Sequence, residues 1–314
     1  MATKFEGLGN EPIITETSEI TTDVATEPID GTEQQAEQPR TPTDPNKITV
    51  KVSDTKAPII LLFGAPSSGK TMTLVRLARY LYAKNSYSVS VDQRFVTTKD
   101  VWEYAENSAK FNQMLGTTTA LSGTGRNDFL FVRVCDSNGK LICQILEGAG
   151  EDYFPSKGTN RAQNPFPSYM TGIFNGNNKK VWIFLTEPNW DVNQTDRDEY
   201  VQRIAYCKGK FFNLKKDKSI ILYNKVDKTP FVIGAGQVHV QNAMNECNNE
   251  YTGLFHIFEY TGVNPFHDKY TCKFVPFCTG VYGKAAQGEL GHYDISHDAY
   301  PAKLWETIMD CIKG

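Results

Sequence analysis

One run of eight residues has the types and spacing that bind phosphate. Gly64-Ala65-Pro66-Ser67-Ser68-Gly69-Lys70-Thr71 matches the pattern G-x-x-x-x-G-K-[ST] in full. Glycines let the backbone curl so that successive N–H groups point at phosphate oxygens, and a helix starting at Gly69 adds the positive end of its dipole. Lys70 would place its ammonium on the β- and γ-phosphates, and the Thr71 hydroxyl would ligate Mg²⁺. The alternative is a glycine turn that binds nothing, although such a turn does not need Lys-Thr at its end.

The predicted phosphate-binding residues are Gly64, Ala65, Pro66, Ser67, Ser68, Gly69, Lys70, Thr71 and Met72. The context supports them, since the apolar run Ile59 to Phe63 precedes the motif and an amphipathic segment follows it. A buried strand, a glycine loop and a helix in that order form the expected surroundings of a phosphate loop (P-loop).

A second motif, Asn224-Lys225-Val226-Asp227, follows the apolar run Ile220 to Tyr223 and matches the [NT]-K-x-D pattern of GTPases. The Asp227 carboxylate could accept hydrogen bonds from the N1–H and N2–H₂ groups of guanine, a donor pair that adenine lacks. The Lys225 stem would lie along the base, and Asn224 would tie this loop to the phosphate loop. Four residues alone match easily by chance, so the motif depends on its place after a strand and after a full phosphate loop.

Two further segments follow strand-like runs, at positions where their loops could contact a bound nucleotide. Glu147-Gly148-Ala149-Gly150-Glu151-Asp152 ends a strand-like run, and it resembles the D-x-x-G element of Ras-like GTPases. Cys278, Thr279 and Gly280 follow the last apolar run. They loosely resemble the last GTPase element, a short loop whose backbone N–H groups contact guanine in that family. A glycine loop after an edge strand is the less favoured alternative for the first segment, whereas strand-end packing explains the second about as well as base contact does.

The order of these elements resembles the Ras-like, translation-factor-related (TRAFAC) class of P-loop GTPases, over about residues 56–314. The resemblance implies an α/β fold with a mostly parallel six-stranded sheet, one antiparallel hairpin strand and helices on both faces. It implies binding of GTP or GDP with Mg²⁺ and a cycle between two states. In this family the acidic residue, here Glu147, holds Mg²⁺ through water, and the glycine, here Gly150, contacts the γ-phosphate through its N–H.

Three departures from the family pattern bear on function. Glu147 replaces the usual Asp, and Glu151 replaces the Gln that orients the attacking water, so slow hydrolysis is expected. The segment from Asn85 to Asp128 is longer than in small members and holds its own strand and helix, as in large bacterial regulatory or conflict-system GTPases. Lys70, Gly150 and Glu151 are therefore the candidate catalytic residues, and Thr71, Glu147 and Thr124 are the candidate metal ligands.

The family also uses a threonine before the second strand of its sheet. The candidates here are Thr117, Thr118, Thr119 and Thr124, of which Thr124 lies nearest the expected position. Arg126 in the same loop could act as an arginine finger, although such an arginine is more often a solvated loop residue.

Periodicity predicts an alternation of strands and helices that would carry these loops. We expect a short edge strand over Ile48 to Val52, a possible strand over Tyr87 to Val91, and a hairpin turning at Asn138-Gly139. The other expected strands are Ile59 to Phe63, Phe129 to Val134, Leu141 to Leu146, Val181 to Leu185, Ile220 to Tyr223 and Phe274 to Phe277. The expected helices are Thr71 to Lys84, Lys99 to Met114, Asp196 to Tyr206, Val238 to Tyr251 and Ala302 to Ile312.

Composition places these elements in one folded domain over residues 48–314, with an insertion near 85–128. Residues 1–47 carry ten acidic and three basic side chains, a net charge of −7, against −3 for the whole chain of 314 residues. They are poor in apolar residues, so we expect a disordered acidic tail. The low overall charge does not favour nucleic acid, and no apolar stretch is long enough for a membrane span. Seven scattered cysteines and an N-terminus without a signal-peptide pattern predict reduced thiols and a cytoplasmic protein.

The sequence therefore predicts a GTP-binding protein that uses slow, Mg²⁺-dependent GTP hydrolysis as a regulatory switch, with a protein partner or regulator. Two alternatives stay open at this point. One is a nucleotide-binding scaffold without turnover, which Glu151 favours. The other is a P-loop ATPase or kinase in which Asn224 to Asp227 match by accident.

Overall fold

The computed structural model describes residues 43–99, 101–115, 129–188, 194–262, 268–282 and 293–314. The candidate residues Thr117, Thr118, Thr119, Thr124 and Arg126 lie outside these ranges. Residues 43–47, which the sequence analysis assigned to the tail, include a 3₁₀ turn at Pro45–Lys47. The backbone N–H and the hydroxyl of Thr43 both donate to the carboxylate of Glu103, at 2.7 and 2.9 Å.

Strands and helices alternate along the described chain. The strands are β1 Ile59–Phe63, β2 Tyr87–Val91, β3 Leu130–Asp136, β4 Leu141–Glu147, β5 Lys180–Thr186, β6 Lys218–Tyr223, β7 Val232–Gly234, β8 Gln237–Val238, β9 Cys272–Pro276, β10 Gly280–Tyr282 and β11 Tyr293–Ile295. The helices are α1 Lys70–Ala83, α2 Trp102–Leu115, α3 Gly150–Tyr153, α4 Ser168–Phe174, α5 Gln194–Phe211, α6 Val240–Glu250 and α7 Ala299–Lys313.

Within the described residues, seven strands form one sheet in the order β2-β3-β4-β1-β5-β6-β9. All neighbouring pairs are parallel except β2 with β3 and β3 with β4, so β3 alone runs against the others. The expected α/β architecture with one antiparallel hairpin strand is thus confirmed, but the expected count of six strands is wrong. The seventh strand is β2, which adds to the edge of the hairpin.

The expected strand over Ile48 to Val52 is also wrong. In that segment Val50 forms one isolated bridge with Val96. The Thr49 amide donates to the Thr98 hydroxyl at 2.7 Å, and the Lys51 amide donates to the Phe95 carbonyl at 2.7 Å. A threonine side chain therefore replaces a strand partner for one of these backbone donors, which limits the pairing to a single bridge.

Helices cover both faces of the sheet centre. Every residue of β1 and of β5 is buried, although successive side chains of a strand point to opposite faces. On one face Phe63 packs against Phe184 and against Tyr200 of α5, with ring centroids 5.3 and 6.1 Å apart. Helix α1 packs against α2 and α7, and α7 also contacts β5 and β9. Among the described helices, none has both the length and the apolar character needed to cross a bilayer.

The carboxyl ends of β1, β4, β5, β6 and β9 meet at one edge of the sheet because these strands are parallel. The loops that follow four of them are the motifs predicted from the sequence. The sheet therefore brings residues far apart in the chain to a single edge, where ligands of open α/β sheets bind.

Candidate functional site

The phosphate loop joins β1 to α1 through a tight turn. Ser67 and Gly69 have positive φ angles of 61° and 88°, and α1 begins at the next residue, Lys70. A side chain at position 69 would be strained in this conformation, and its Cβ would lie 2.4 Å from Nδ2 of Asn224. The turn leaves the amino end of a 14-residue helix facing the loop, where anions are stabilised.

Lys70 is almost fully buried beneath this loop, with 5% of its surface exposed. Its ammonium donates to the Ala65 carbonyl at 3.1 Å and lies 5.9 Å from the ring centroid of Tyr153. Burial lowers the pKa of Lys70, while the carboxylates of Glu147 and Glu151 oppose that shift. One hydrogen bond uses one of the three ammonium donors, so the group can also bind phosphate oxygens.

Thr71 and Glu147, the two candidate metal ligands within the described residues, lie side by side. The Thr71 hydroxyl donates to Oε1 of Glu147 at 2.8 Å, and Glu147, at the end of β4, is 1% exposed. A hydroxyl and a carboxylate oxygen are the hard oxygen donors that Mg²⁺ prefers. The residue types present therefore fit a magnesium ion.

Gly150 brings the next segment directly onto the phosphate loop. It begins α3, and a Cβ on it would lie 2.4 Å from Cα and 2.5 Å from N of Pro66. Only glycine allows this approach of two backbones. Glu151 follows on the outer side of α3 and lines, with Asp152, Pro45 and Asn46, a cavity of about 520 Å³. The geometry thus places Gly150 against the phosphate loop, with the half-buried Glu151 beside it.

The predicted base-reading loop also touches the phosphate loop. Asn224 is fully buried, and its Nδ2 donates to the Ser68 carbonyl at 3.0 Å. Lys225 has a φ of 55°, and its ammonium donates to the Ser67 carbonyl at 3.1 Å. Two side chains of one motif therefore bind two carbonyls of the other, as expected if one ligand spans both loops.

Two buried polar atoms at this junction have no hydrogen-bond partner in the described part of the chain. They are Oγ of Ser68 and Oδ1 of Asn224. Unpaired buried polar atoms are rare in folded proteins and indicate a missing water, ion or ligand. Their place between the two motifs agrees with a ligand bound there.

Asp227 and Cys278, which belong to the two segments predicted to contact the base, lie next to each other. Asp227 is exposed in the 3₁₀ turn Val226–Lys228, and the Val226 amide donates to the Phe277 carbonyl at 3.1 Å. Burial, and then a hydrogen bond with Asp227, raise the pKa of the Cys278 thiol to about 12. Cys278 and Thr279 are buried, and Gly280 has a φ of 125°. The third predicted segment therefore lies beside the residue expected to read guanine.

Comparisons with known proteins find distant structural similarity. The chain is similar to a putative nucleolar GTP-binding protein 1 from Plasmodium falciparum, with 13% identity and a TM-score of 0.39 over 84% of this chain and 90% of that one. It is also similar to a bacterial selenocysteine-specific elongation factor, with 10% identity and a TM-score of 0.37 over 82% of this chain. That match spans 29% of the elongation factor. No protein-family model and no curated protein sequence matches the chain.

Sequence reasoning missed Glu187, which follows β5 at the same edge. It is 5% exposed and forms an ion pair with Lys225. Its backbone amide and carbonyl both bond to the Tyr251 hydroxyl, at 3.1 Å. The available signal was its position, since an acidic residue directly after a buried parallel strand lies at the ligand-binding edge.

Sequence reasoning also missed Arg203 of α5, which is fully buried. Its Nε donates to the Tyr153 carbonyl at 2.8 Å, and its Nη1 donates to the carbonyls of Ala162 and Asn164. The guanidinium lies 3.7 Å from the ring centroid of Phe166. Arg203 therefore anchors the segment that begins at Gly150, although nothing in the pattern of α5 marks it for this role.

Proposed function

We propose that this protein binds guanine nucleotide with Mg²⁺ and hydrolyses GTP slowly, and that it acts as a regulatory switch with a protein partner. The observation that carries the proposal is the docking of the Asn224 to Asp227 loop on the phosphate loop. An accidental match to the base motif has no reason to bind Ser67 and Ser68 through Lys225 and Asn224. A nucleotide that bridges the two loops does give such a reason.

In this proposal Lys70 and the amides of the phosphate loop bind the β- and γ-phosphates and stabilise the charge that builds on the bond between them. Thr71 and Glu147 hold a magnesium ion, which neutralises phosphate charge. Asp227 selects guanine by accepting two hydrogen bonds from its edge. The Lys225 stem covers the base, and Glu187 fixes the ammonium of Lys225 above the phosphate loop.

Slow hydrolysis follows from the residue beside Gly150. A glutamine at position 151 could both donate to and accept from the attacking water, whereas the Glu151 carboxylate can only accept. The carboxylate also repels the negative γ-phosphate. We therefore propose that fast hydrolysis requires a further catalytic group, which a partner protein or Arg126 supplies.

The test is the identity of the nucleotide retained on the purified chain, with affinities for GTP, GDP and ATP measured in Mg²⁺. We expect a preference for guanine over adenine that Asp227→Ala weakens by more than about a hundredfold, because two hydrogen bonds to a charged acceptor are lost. Asp310→Ala, an exposed aspartate on α7, is the matched control and keeps the preference. Equal binding of ATP and GTP by the parent chain would contradict the proposed selection of guanine and would favour an ATPase or kinase.

Glu151 also supports a second function, a nucleotide-binding scaffold without turnover. A measurement of multiple-turnover phosphate release from GTP distinguishes the two functions. Release that depends on GTP and disappears in Lys70→Ala supports the switch. Tight GTP binding without release, with or without added Mg²⁺, supports the scaffold.

A further inference from the structure

A second cavity lies at the opposite edge of the sheet, at the amino ends of β5 and β6. It is open and has a volume of about 650 Å³. The loop after α4 and the loop after α5 form its walls. Strand β5 has seven residues between this edge and Glu187, so the cavity lies about 20 Å from the nucleotide site.

The lining of this cavity is strongly cationic. Among the described residues that line it are Lys180, Lys215 and Lys216, and none is acidic. The carboxylate nearest in the chain, Asp217, already accepts two backbone hydrogen bonds. Its Oδ1 accepts from the Lys180 amide and its Oδ2 from the Asn213 amide, both at 2.9 Å.

The lysines retain donors for a further acceptor. The Lys216 ammonium donates to the Asn177 carbonyl at 2.5 Å, and the Lys180 ammonium donates to the Gly176 carbonyl. Each ammonium has three donors, so these bonds leave capacity on both. Lys215 is exposed, and the side-chain amides of Asn175, Asn177 and Asn213 can add neutral donors.

Lys180 is the buried member of this lysine cluster. Only 2% of its surface is exposed, and burial lowers its pKa. A buried ammonium is costly unless an anion accompanies it. Asp217 supplies part of that compensation, and an anion in the cavity would supply the rest.

We propose that this cavity binds a phosphate-bearing anion through Lys180, Lys215 and Lys216, independently of the nucleotide site. The phosphate could belong to a free phosphate compound or to the head group of a phospholipid. Leu214, which is 79% exposed at the tip of the loop between Asn213 and Lys215, would contact the apolar part of such a ligand.

The test uses the full chain with two probes. Inorganic pyrophosphate is titrated by calorimetry, and vesicles of phosphatidylcholine with and without phosphatidic acid are tested by co-sedimentation. Because pyrophosphate would also occupy the phosphate loop, each measurement is repeated with Lys70→Ala. The probe variant is Lys215→Gln with Lys216→Gln, and the matched control is Lys140→Gln with Lys303→Gln, two exposed lysines elsewhere.

We expect one probe to bind the Lys70→Ala chain and the cavity variant to weaken that binding roughly thirtyfold, since each lysine near an anionic surface contributes about a fivefold effect. The control variant keeps the affinity. Binding of pyrophosphate assigns a free compound, and binding of acidic vesicles alone assigns a lipid head group. Absence of binding to both, or equal loss in the control, overturns the proposal. GTP affinity stays unchanged in the cavity variant, so failure here is separate from failure of the proposed nucleotide function.

Discussion

Thr71, in the first turn of α1, donates a hydrogen bond of 2.8 Å to Glu147 at the end of β4. The two residues come from different strand-loop units and meet because β1 and β4 are parallel neighbours, with Leu62 opposite Glu147. In the proposed site they are the two residues that would hold the magnesium ion.

The first prediction is that Glu147→Gln lowers the dependence of nucleotide affinity on Mg²⁺. The amide can still accept the Thr71 hydrogen bond, so the fold is kept, but the negative charge that attracts the ion is lost. We expect the gain in GTP affinity on adding Mg²⁺ to fall by about 10–100-fold. Titrations of GTP with and without Mg²⁺ measure this gain. Glu106→Gln on α2 is the exposed control, and an unaltered gain in Glu147→Gln would place the ion elsewhere.

The second prediction concerns the contact of Gly150 with Pro66. An alanine Cβ would lie 2.4 Å from a backbone atom that cannot rotate away, so α3 must move off the phosphate loop. We expect Gly150→Ala to destabilise the protein by about 1–3 kcal/mol. We also expect it to weaken GTP binding more than GDP binding, because in the proposed site the displaced segment would contact the γ-phosphate. Gly172→Ala is the matched control, because a Cβ there meets nothing within 4 Å. Thermal unfolding and nucleotide titration measure both effects, and equal losses of GTP and GDP affinity would contradict a contact between Gly150 and the γ-phosphate.

The third prediction is a pH dependence set by Lys70. Burial lowers its pKa from the ordinary value of 10.5. Between the lowered pKa and 10.5 the unfolded chain holds a proton that the folded chain has released, so the stability of the nucleotide-free protein rises with pH across this window. Nucleotide binding needs the ammonium, so affinity falls with pH across the same window. The stability slope, measured by urea unfolding, should flatten in Lys70→Met, and a slope shared by both proteins would assign it to another group. The affinity slope is measured by GTP titration of the parent chain.

The fourth prediction concerns Arg203. Arg203→Met keeps much of the volume but removes the donors to three backbone carbonyls, so we expect a loss of about 3 kcal/mol in the free energy of unfolding. Arg203→Lys restores the charge without the planar fork and should recover only part of this loss. Arg94→Met is the control, because that side chain is 74% exposed. Urea unfolding gives the stabilities, and limited proteolysis tests whether residues 150–164 become cleavable. A loss below about 0.5 kcal/mol in Arg203→Met would show that the anchor is dispensable.

The sequence was informative wherever function constrains local residue types. Gly64 to Thr71 and Asn224 to Asp227 each combine a motif with a preceding apolar strand, and a parallel sheet then has to bring both loops to one edge. The hairpin at Asn138-Gly139 was predictable for the same local reason, since Gly139 takes a φ of 77°.

The structural features that the sequence did not predict depend on contacts between residues distant in the chain. The alternation of Ile48 to Val52 is that of a strand, but Thr98 and Phe95 accept its backbone donors. Arg203 lies on a polar helix, where an arginine is normally exposed, and its burial follows only from the path of residues 153–164 around it. Glu187 belongs to no motif. The lysine it binds, Lys225, is positioned by a left-handed backbone conformation that the sequence does not reveal.

The closeness of Gly69 and Asn224 links the evolution of two loops that are encoded far apart in the gene. A Cβ at position 69 would lie 2.4 Å from Nδ2 of Asn224, so position 69 cannot take a side chain while the asparagine keeps its place. Substitutions at these two positions should therefore occur together among homologous genes. In a library that varies both codons, survivors with a side chain at position 69 should carry a smaller residue than asparagine at position 224.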